Sequence, residues 1–326
     1  KTISRKLPPD SNRSSTRLDY SSNINIMGRR FAGSTRSWPG FPVVSMVVFS
    51  ELAPFGPLPG HAQPMPGPAE AVFCQMAAHH KVWLIPGSMF ELVGEHIYNT
   101  ASVIDPHGQV VGRYRKMFPF RPYENHVEAG KEFLVFDVPE VGRFGISICY
   151  DMWFPETSRT LVAMGAEVIL HPSMTDTIDR EVELSIARAI AVTNQCYFFD
   201  INGVGDGGVG SSIVVGLSGY VIHAAGGGEE TIPVEINLDR VRREREVGIR
   251  GLGQPLKSFR DRPVDFPVYQ RGSNFPEDYL RSLGPLAKPE RGSRAGLKQD
   301  VTPAMGQGGY YPLTDEETGN HSANPG

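Results

Sequence analysis

Long apolar runs are missing from this 326-residue chain. No stretch approaches the ~20 consecutive apolar residues of a helical membrane span, so no membrane partner is expected. An excess of one charge is missing too. There are 32 Lys and Arg against 36 Asp and Glu, a formal net charge of −4. That balance gives no argument for nucleic acid as a partner. Cysteine is scarce: Cys74, Cys149 and Cys196 stand far apart, with no CxxC pair. An odd count at wide spacing builds neither a disulfide framework nor a zinc site, so no metal is expected. Reduced thiols fit a cytoplasmic protein. The opening stretch "KTISRKLPPDSNRSSTRLDYSSNI" lacks the apolar segment of a secretory signal. It reads as a disordered extension and less well as a transit peptide.

What is present is ordinary for a globular enzyme: 40% hydrophobic and 21% charged residues. The length allows one large α/β domain or two smaller ones. Texture divides the chain into an arm or irregular extension over residues 1–40, a domain over 41–250, and an extension over 251–326. The last is rich in Pro and Gly and is expected to be extended; a tail of this kind could contact another subunit, which the sequence alone does not show. Within the domain, "PVVSMVVFSE" is a β-branched run of the kind buried on both faces. "GPAEAVFCQMAAHHK" has helical spacing, and "VWLIPGSMFEL" reads as a second buried strand. "YNTASVIDPHGQVVGRYRK" and "FLVFDVPEVGRFGISICY" each read as two strands about a turn. A helix is predicted from Pro155 to Gly165, a strand at "AEVILHPS", a helix at "DREVELSIARAIAVTNQ" and a strand at "YFFDINGVG". Further strands and a short basic helix follow. Helices alternate with strands, but hairpins intervene. That pattern predicts a layered α/β fold with mixed sheets and not a purely parallel one.

Four residues stand out: Glu51 in "VVFSE", Lys116 in "GRYRK", Glu124 in "PYENHVEAG" and Cys149 in "ISICYD", and three of them end strand-like runs. Strand ends are where α/β folds bind ligands, so these side chains are candidates to converge. Cysteine attacks as the thiolate, which a neighbouring base supplies. Glu51 is the candidate base. Lys116 is a candidate partner for the oxyanion formed when a thiolate adds to a carbonyl, with the backbone N–H of Tyr150 as second donor. Glu124 is placed to orient Lys116 or a water. On its own a lone cysteine is most often an inert, buried small hydrophobe. The other three positions argue against that here.

From Val43 to Val247 the chain resembles the nitrilase (carbon–nitrogen hydrolase) superfamily. The resemblance rests on "VVFSEL", "GRYRK", "YENHVEAG", "GISICYDMWFPETSR", "GAEVILHPS", "ARAIAVTNQCYFFDIN" and "INLDRVRRERE" in that order. It implies a four-layer αββα sandwich with two mixed β-sheets. It implies Glu51, Lys116 and Cys149 as the catalytic set, with Glu124 as the additional glutamate. It implies no cofactor, and homodimers or larger homo-oligomers that pair across the face near the cysteine. Members begin with a strand and a helix, which residues 1–42 do not show. "NINIM" is the candidate for a remnant strand.

The nitrilases of this superfamily usually follow the cysteine with Trp-Glu. Here Tyr150 and Asp151 follow, which is more similar to the amidase and N-carbamoyl amide hydrolase branches. The favoured reaction is hydrolysis of a small amide through a Cys149 thioester, releasing ammonia. An N-carbamoyl amine or amino acid is the first alternative substrate, and a nitrile the second. Acyl transfer to an amine and a non-catalytic binding or assembly role are the readings of other classes. Trp153, His171, Ser173 and Met174 are the candidate substrate contacts. No arginine is placed to clamp a carboxylate. Arg188 reads as an ion-pair partner of nearby Glu181 and Glu183, Glu156 and Arg159 as a local pair, and Asp151 as a cap of the following helix. The "RVRRERE" run alternates acids with bases and reads as a solvated helix face.

Overall fold

Alternation within the apolar runs builds two sheets that share one core. The computed structural model describes residues 24–28, 44–205, 207–269 and 278–286. The remainder of the 1–40 and 251–326 segments lies outside the described residues.

The first sheet is entered by β1 (Ile24–Gly28), β2 (Val44–Phe49), β3 (Trp83–Ile85), β4 (Met89–Val93), β5 (His96–Ile104), β6 (Val110–Arg115) and the short β7 (Val127–Glu128). The chain then builds the second sheet from β8 (Leu134–Val138), β9 (Gly142–Ile146), β10 (Val168–Ser173) and β11 (Tyr197–Asn202). A two-stranded ribbon, β12 (Val204–Gly205) and β13 (Gly208–Val209), precedes β14 (Ile213–Val215) and β15 (Val221–Ala224), which complete that sheet. Strand β16 (Ile232–Glu235) returns to the first. The orders are β16-β1-β2-β3-β5-β4, with β6 and β7 also on β5, and β15-β14-β11-β10-β9-β8. Both sheets are mixed: β2 and β3 run parallel, as do β9, β10 and β11, while β8–β9, β4–β5 and β5–β6 are antiparallel.

Successive strand residues face opposite sides, so each strand feeds two layers. Met46 and Val48 of β2 pack with Phe144 and Ile146 of β9 and with Val168 and Leu170 of β10 between the sheets. Outward, Val47 and Phe49 meet α1 (Pro68–His80) through Phe73 and Ala77. On the other side, Ile169 and Phe198 meet α2 (Pro155–Ala163) and α3 (Asp179–Asn194) through Leu161, Ala187 and Ile190. The layers are therefore α, β, β and α, as expected. Pro68 and Pro155 occupy first-turn positions, where a missing N–H costs nothing. Helix α4 (Leu238–Val247) starts at Asn237, whose side chain accepts from the Asp239 N–H at 2.9 Å.

Four expectations are corrected. The single strand expected at "VWLIPGSMFEL" is two, β3 and β4. Pro86 and Gly87 part them: Gly87 has φ +80, and a Cβ there would lie 1.9 Å from the Ser50 carbonyl. Residues 1–40 are not wholly an irregular arm. Their described part is β1, which pairs antiparallel with β2 and parallel with β16, inside the sheet and not at its edge. The segment after 250 begins with α5 (Pro255–Arg260), whose Leu256 packs on the core beneath α2 and α3. The basic α4 is no solvated face alone. Leu238 and Val241 are buried, Arg242 pairs with Glu167 at 2.8 Å, and Arg245 donates to the Ala166 carbonyl at 2.6 Å. In a second compact unit, residues 266–326, the described residues form a 3-10 turn (Pro267–Tyr269) and α6 (Asp278–Ser282).

Candidate active site

The run "GRYRK" lies on β6 and just past its end, and alternation sorts its side chains. Arg113 and Arg115 face outward, each in a two-pronged pair: Arg113 with Glu70 (2.8 and 2.7 Å) and Arg115 with Glu91 (2.8 and 2.7 Å). Tyr114 and Lys116 face inward. Lys116 is 1% exposed. Its Nζ donates to Glu51 Oε1 at 2.9 Å and to Glu124 Oε2 at 2.8 Å.

Each carboxylate is held from a second direction. Asn99 Nδ2 donates to Glu51 Oε1 at 2.8 Å, and the Phe120 N–H donates to Glu124 Oε2 at 2.5 Å. The Glu51 N–H donates to the Ser173 carbonyl at 3.2 Å, which ties the end of β2 to the end of β10. Lys116 is fixed through its backbone as well. Its N–H reaches the Asn99 carbonyl and its carbonyl accepts from Gly130, both at 2.8 Å. Sequence reading missed Asn99. The available signal was a polar amide within the strand-like "IYNTASVI".

Cys149 follows β9 by three residues and opens a 3-10 turn, Cys149–Trp153. Its φ is +48°, a left-handed conformation that costs a β-carbon residue about 1–2 kcal/mol. Buried Asp151 holds the turn. It accepts from the Ile148 N–H (2.9 Å), the Tyr114 hydroxyl (2.7 Å) and the Phe118 N–H (2.8 Å). Tyr114 and Phe118 flank Lys116, so one carboxylate joins the Lys116 segment to the Cys149 turn. This corrects the expectation for Asp151. It caps the cysteine's own turn, while α2 starts at Phe154 with no side-chain cap.

The electrostatics follow from burial. Burial raises the Glu51 carboxyl; Lys116 opposes this and Glu124 adds to it. Burial would lower the Lys116 ammonium, but Cys149, Glu51 and Glu124 outweigh it and hold the pKa well above the ordinary value. Burial and then Glu51 push the Cys149 thiol well up, against Lys116. Cys149 therefore rests as a neutral thiol beside Glu51 and a fixed cation. Burial pushes Asp151 up to about 6 despite its three donors.

The remaining sequence candidates fall in different places. Tyr150 follows the cysteine, at the N-terminal end of the turn, where backbone N–H groups are left without intrahelical partners. Its ring meets Phe120 at 5.0 Å and Phe154 at 5.3 Å, within an aromatic cluster that includes Phe118 stacked on Phe154 at 3.6 Å. Trp153 is half-buried, its indole N–H directed at Glu183 Oε1, 3.5 Å away. Met174 is half-buried against the Leu52, Phe90 and Val127 cluster. His171 and Ser173 have no exposed surface. His171 Nδ1 lies 2.7 Å from the Ser147 hydroxyl, two residues before the cysteine, so the ring supports the turn from behind.

Behind the cysteine lies a second charge cluster that sequence reading did not assemble. Arg180 bridges Glu183 (3.0 Å) and Asp200 (2.9 Å) and donates to the Ser211 carbonyl at 2.9 Å. The Thr175 hydroxyl donates to Glu183 at 3.1 Å. Burial raises Asp200 to about 6 against the pull of Arg180. Arg188, expected to pair with Glu181 or Glu183, donates to the Gly219 carbonyl at 3.1 Å; Arg180, about two turns earlier on α3, takes Glu183. Arg159, expected to pair with Glu156, lies over the Phe259 ring at 5.1 Å. Among the described residues no group of three or more His, Cys, Asp or Glu is arranged to hold a metal ion, and no helix is long and apolar enough to cross a membrane.

The carbon-nitrogen hydrolase family profile matches residues 40–246. An N-carbamoylputrescine amidase from Solanum lycopersicum is 30% identical over 211 residues, covering 56% of this chain and 69% of that protein. A Saccharomyces cerevisiae member of branch 10 of the nitrilase superfamily superposes with a TM-score of 0.55 at 26% identity, covering 62% of this chain and 80% of that one. An amidase from Nesterenkonia sp. AN1, solved with the acetamide moiety of fluoroacetamide added at its active-site cysteine, gives a TM-score of 0.51 at 25% identity and covers 55% of this chain and 72% of that one. With this fold, this profile match and these relatives, the chain belongs to the carbon–nitrogen hydrolase family, as a cysteine-dependent amidohydrolase of the nitrilase superfamily.

Proposed function

We propose that the chain hydrolyses a small amide to its acid and ammonia through a thioester on Cys149. The observation that carries this reading is the contact of one buried ammonium, Lys116, with both Glu51 and Glu124 beside a thiol on a strained turn. Glu51, raised by burial, takes the thiol proton as sulfur adds to the carbonyl carbon. The oxyanion that forms is met by Lys116, which stays protonated, and by the Tyr150 N–H. The C–N bond then breaks, the proton on Glu51 goes to the leaving nitrogen, and ammonia departs. Water, oriented by Glu124 and deprotonated by Glu51, cleaves the thioester and returns the thiol. In this reading Trp153 and Met174, both half-buried, and the aromatic rings beside the turn are the candidate substrate contacts. A second reading, hydrolysis of an N-carbamoyl amine, uses the same steps and is favoured by the N-carbamoylputrescine amidase among the relatives.

The test is ammonia release from aliphatic amides, N-carbamoyl amines and the matching nitriles, with Cys149→Ala alongside. Release from amides or carbamoyl compounds should be lost in the variant, and the intact wild-type enzyme should gain the acyl mass when quenched early. Silence from folded protein across the panel, or turnover retained by Cys149→Ala, sinks the proposal.

A further inference from the structure

The charges around Cys149 do not balance. Lys116 lies between Glu51 and Glu124, and Arg180 lies between Glu183 and Asp200. Two cations thus face four carboxylates, all at least four-fifths buried by side-chain area. Glu183 is the carboxylate through which the second cluster reaches the site. Its Oε1 is bonded by Thr175, just past β10, and faces the indole N–H of Trp153 in the cysteine's own turn. Arg180 is buried, and its two terminal nitrogens are taken by Glu183, Asp200 and the Ser211 carbonyl, so only its enclosed Nε–H is left without a partner among the described residues. The rings of Tyr150, Trp153 and Phe120 border the same turn, and aromatic faces attract cations.

We propose that Glu183 is a specificity-determining residue. Its carboxylate, held in the wall of the site by Arg180, Thr175 and Trp153, selects acyl or carbamoyl substrates whose far end is neutral or a protonated amine over those that end in a carboxylate. An incoming carboxylate meets surplus negative charge where water does not screen it, and Arg180, buried and paired at both terminal nitrogens, is not presented to it. The inference rests on Cys149 as the nucleophile named above.

The charge preference is read at the cysteine itself with methanethiosulfonates of matched size: aminoethyl, methyl and sulfonatoethyl. Each reacts by attack of the thiolate on sulfur with loss of methanesulfinate. Labelling rates at Cys149, followed by peptide mass and divided by the rates with free cysteine, should favour aminoethyl over sulfonatoethyl by about a hundredfold. Glu183→Gln should lower that ratio about tenfold and move the methyl reagent less than threefold. A wild-type ratio near one, or a ratio unchanged in Glu183→Gln, overturns the proposal. Should the variant not fold, wild-type turnover decides: kcat/KM for 4-aminobutyramide and butyramide should exceed that for succinamate at least about tenfold, and the reverse order overturns it. Labelling needs no turnover, so an enzyme inert to every amide would refute the hydrolase reading and leave the charge ratio to judge this one.

Discussion

Two buried clusters in this molecule have the same charge count and different chemistry. Each sets one cation between two carboxylates: Lys116 between Glu51 and Glu124, Arg180 between Glu183 and Asp200. A lysine ammonium is a compact charge that can share its donors with a new oxygen. An arginine fork is planar, and here its bonds are committed in fixed directions. Position adds to the contrast. The Lys116 cluster joins ends of β2 and β6 next to a strained thiol, whereas the Arg180 cluster sits between α3 and the sheet. Charge count alone therefore does not mark a reaction centre. A centre needs a cation free to change partners and a nucleophile within its reach.

Exchanging the cations breaks the comparison most severely. Lys116→Arg keeps the charge, but its fork must fit between Glu51 and Glu124 with no room for the oxyanion. We expect kcat to fall about a thousandfold, the loss typical of a removed oxyanion donor. Arg180→Lys cannot span Glu183 and Asp200 and leaves one of them unpaired. It should cost about 3 kcal/mol of stability in urea unfolding and leave kcat of the folded enzyme within about tenfold. An active Lys116→Arg, or an Arg180→Lys as dead as its counterpart, would show that the two clusters are not distinct in role.

The contrast also marks what can be read in sequence. Strand alternation in "GRYRK" already separates Lys116 and Tyr114 from Arg113 and Arg115, and the apolar run broken at Cys149 marks the turn. These are local patterns. The place of β1 between β2 and β16 is not local, since it depends on pairing across most of the chain. Nor is the double pairing of Arg180. Helical spacing allows Arg180, three residues before Glu183, to reach that acid, and not Arg188, five after it, but the further pairing of Arg180 with Asp200 depends on the packing of α3 on β11. Asp151 shows the same limit. Its spacing fits a helix cap, yet its partners Tyr114 and Phe118 come from the other sheet's side of the site.

Asp151 sharpens the comparison, because it ties the Lys116 segment to the cysteine's turn by three hydrogen bonds of 2.7–2.9 Å, whereas the Arg180 cluster reaches that turn through the Trp153 indole, 3.5 Å from Glu183. Asp151→Asn preserves the shape but sets an amide against donors that need an acceptor. We expect kcat to fall about ten- to a hundredfold with KM within about threefold, since the loss is one of positioning at the transition state. The rate of Cys149 alkylation by iodoacetamide should shift in its pH dependence as Lys116 relaxes away. A purely structural residue would lower the melting temperature and leave both the alkylation profile and kcat per folded molecule unchanged.

His171 is the group that feels both clusters, and it offers the finest test. Burial first, then the charges of Arg180 and Lys116, lower its pKa from 6.5 to about 3. The folded ring stays neutral where the unfolded ring takes up a proton. Stability must therefore fall as pH drops through 6.5 toward 3, by at most about 1.4 kcal/mol per pH unit. Asp151 and Asp200, both raised to about 6, act in the opposite sense. The folded state binds their protons first, so they add stability as pH falls from about 6 toward 3.8. In wild type these effects oppose one another. His171→Asn removes the destabilising one, so between pH 7 and pH 5 the variant should gain about 1–2 kcal/mol relative to wild type in urea unfolding. Parallel pH dependence in the two proteins would mean that His171 is protonated in the folded state, and that the two buried cations do not meet at its ring.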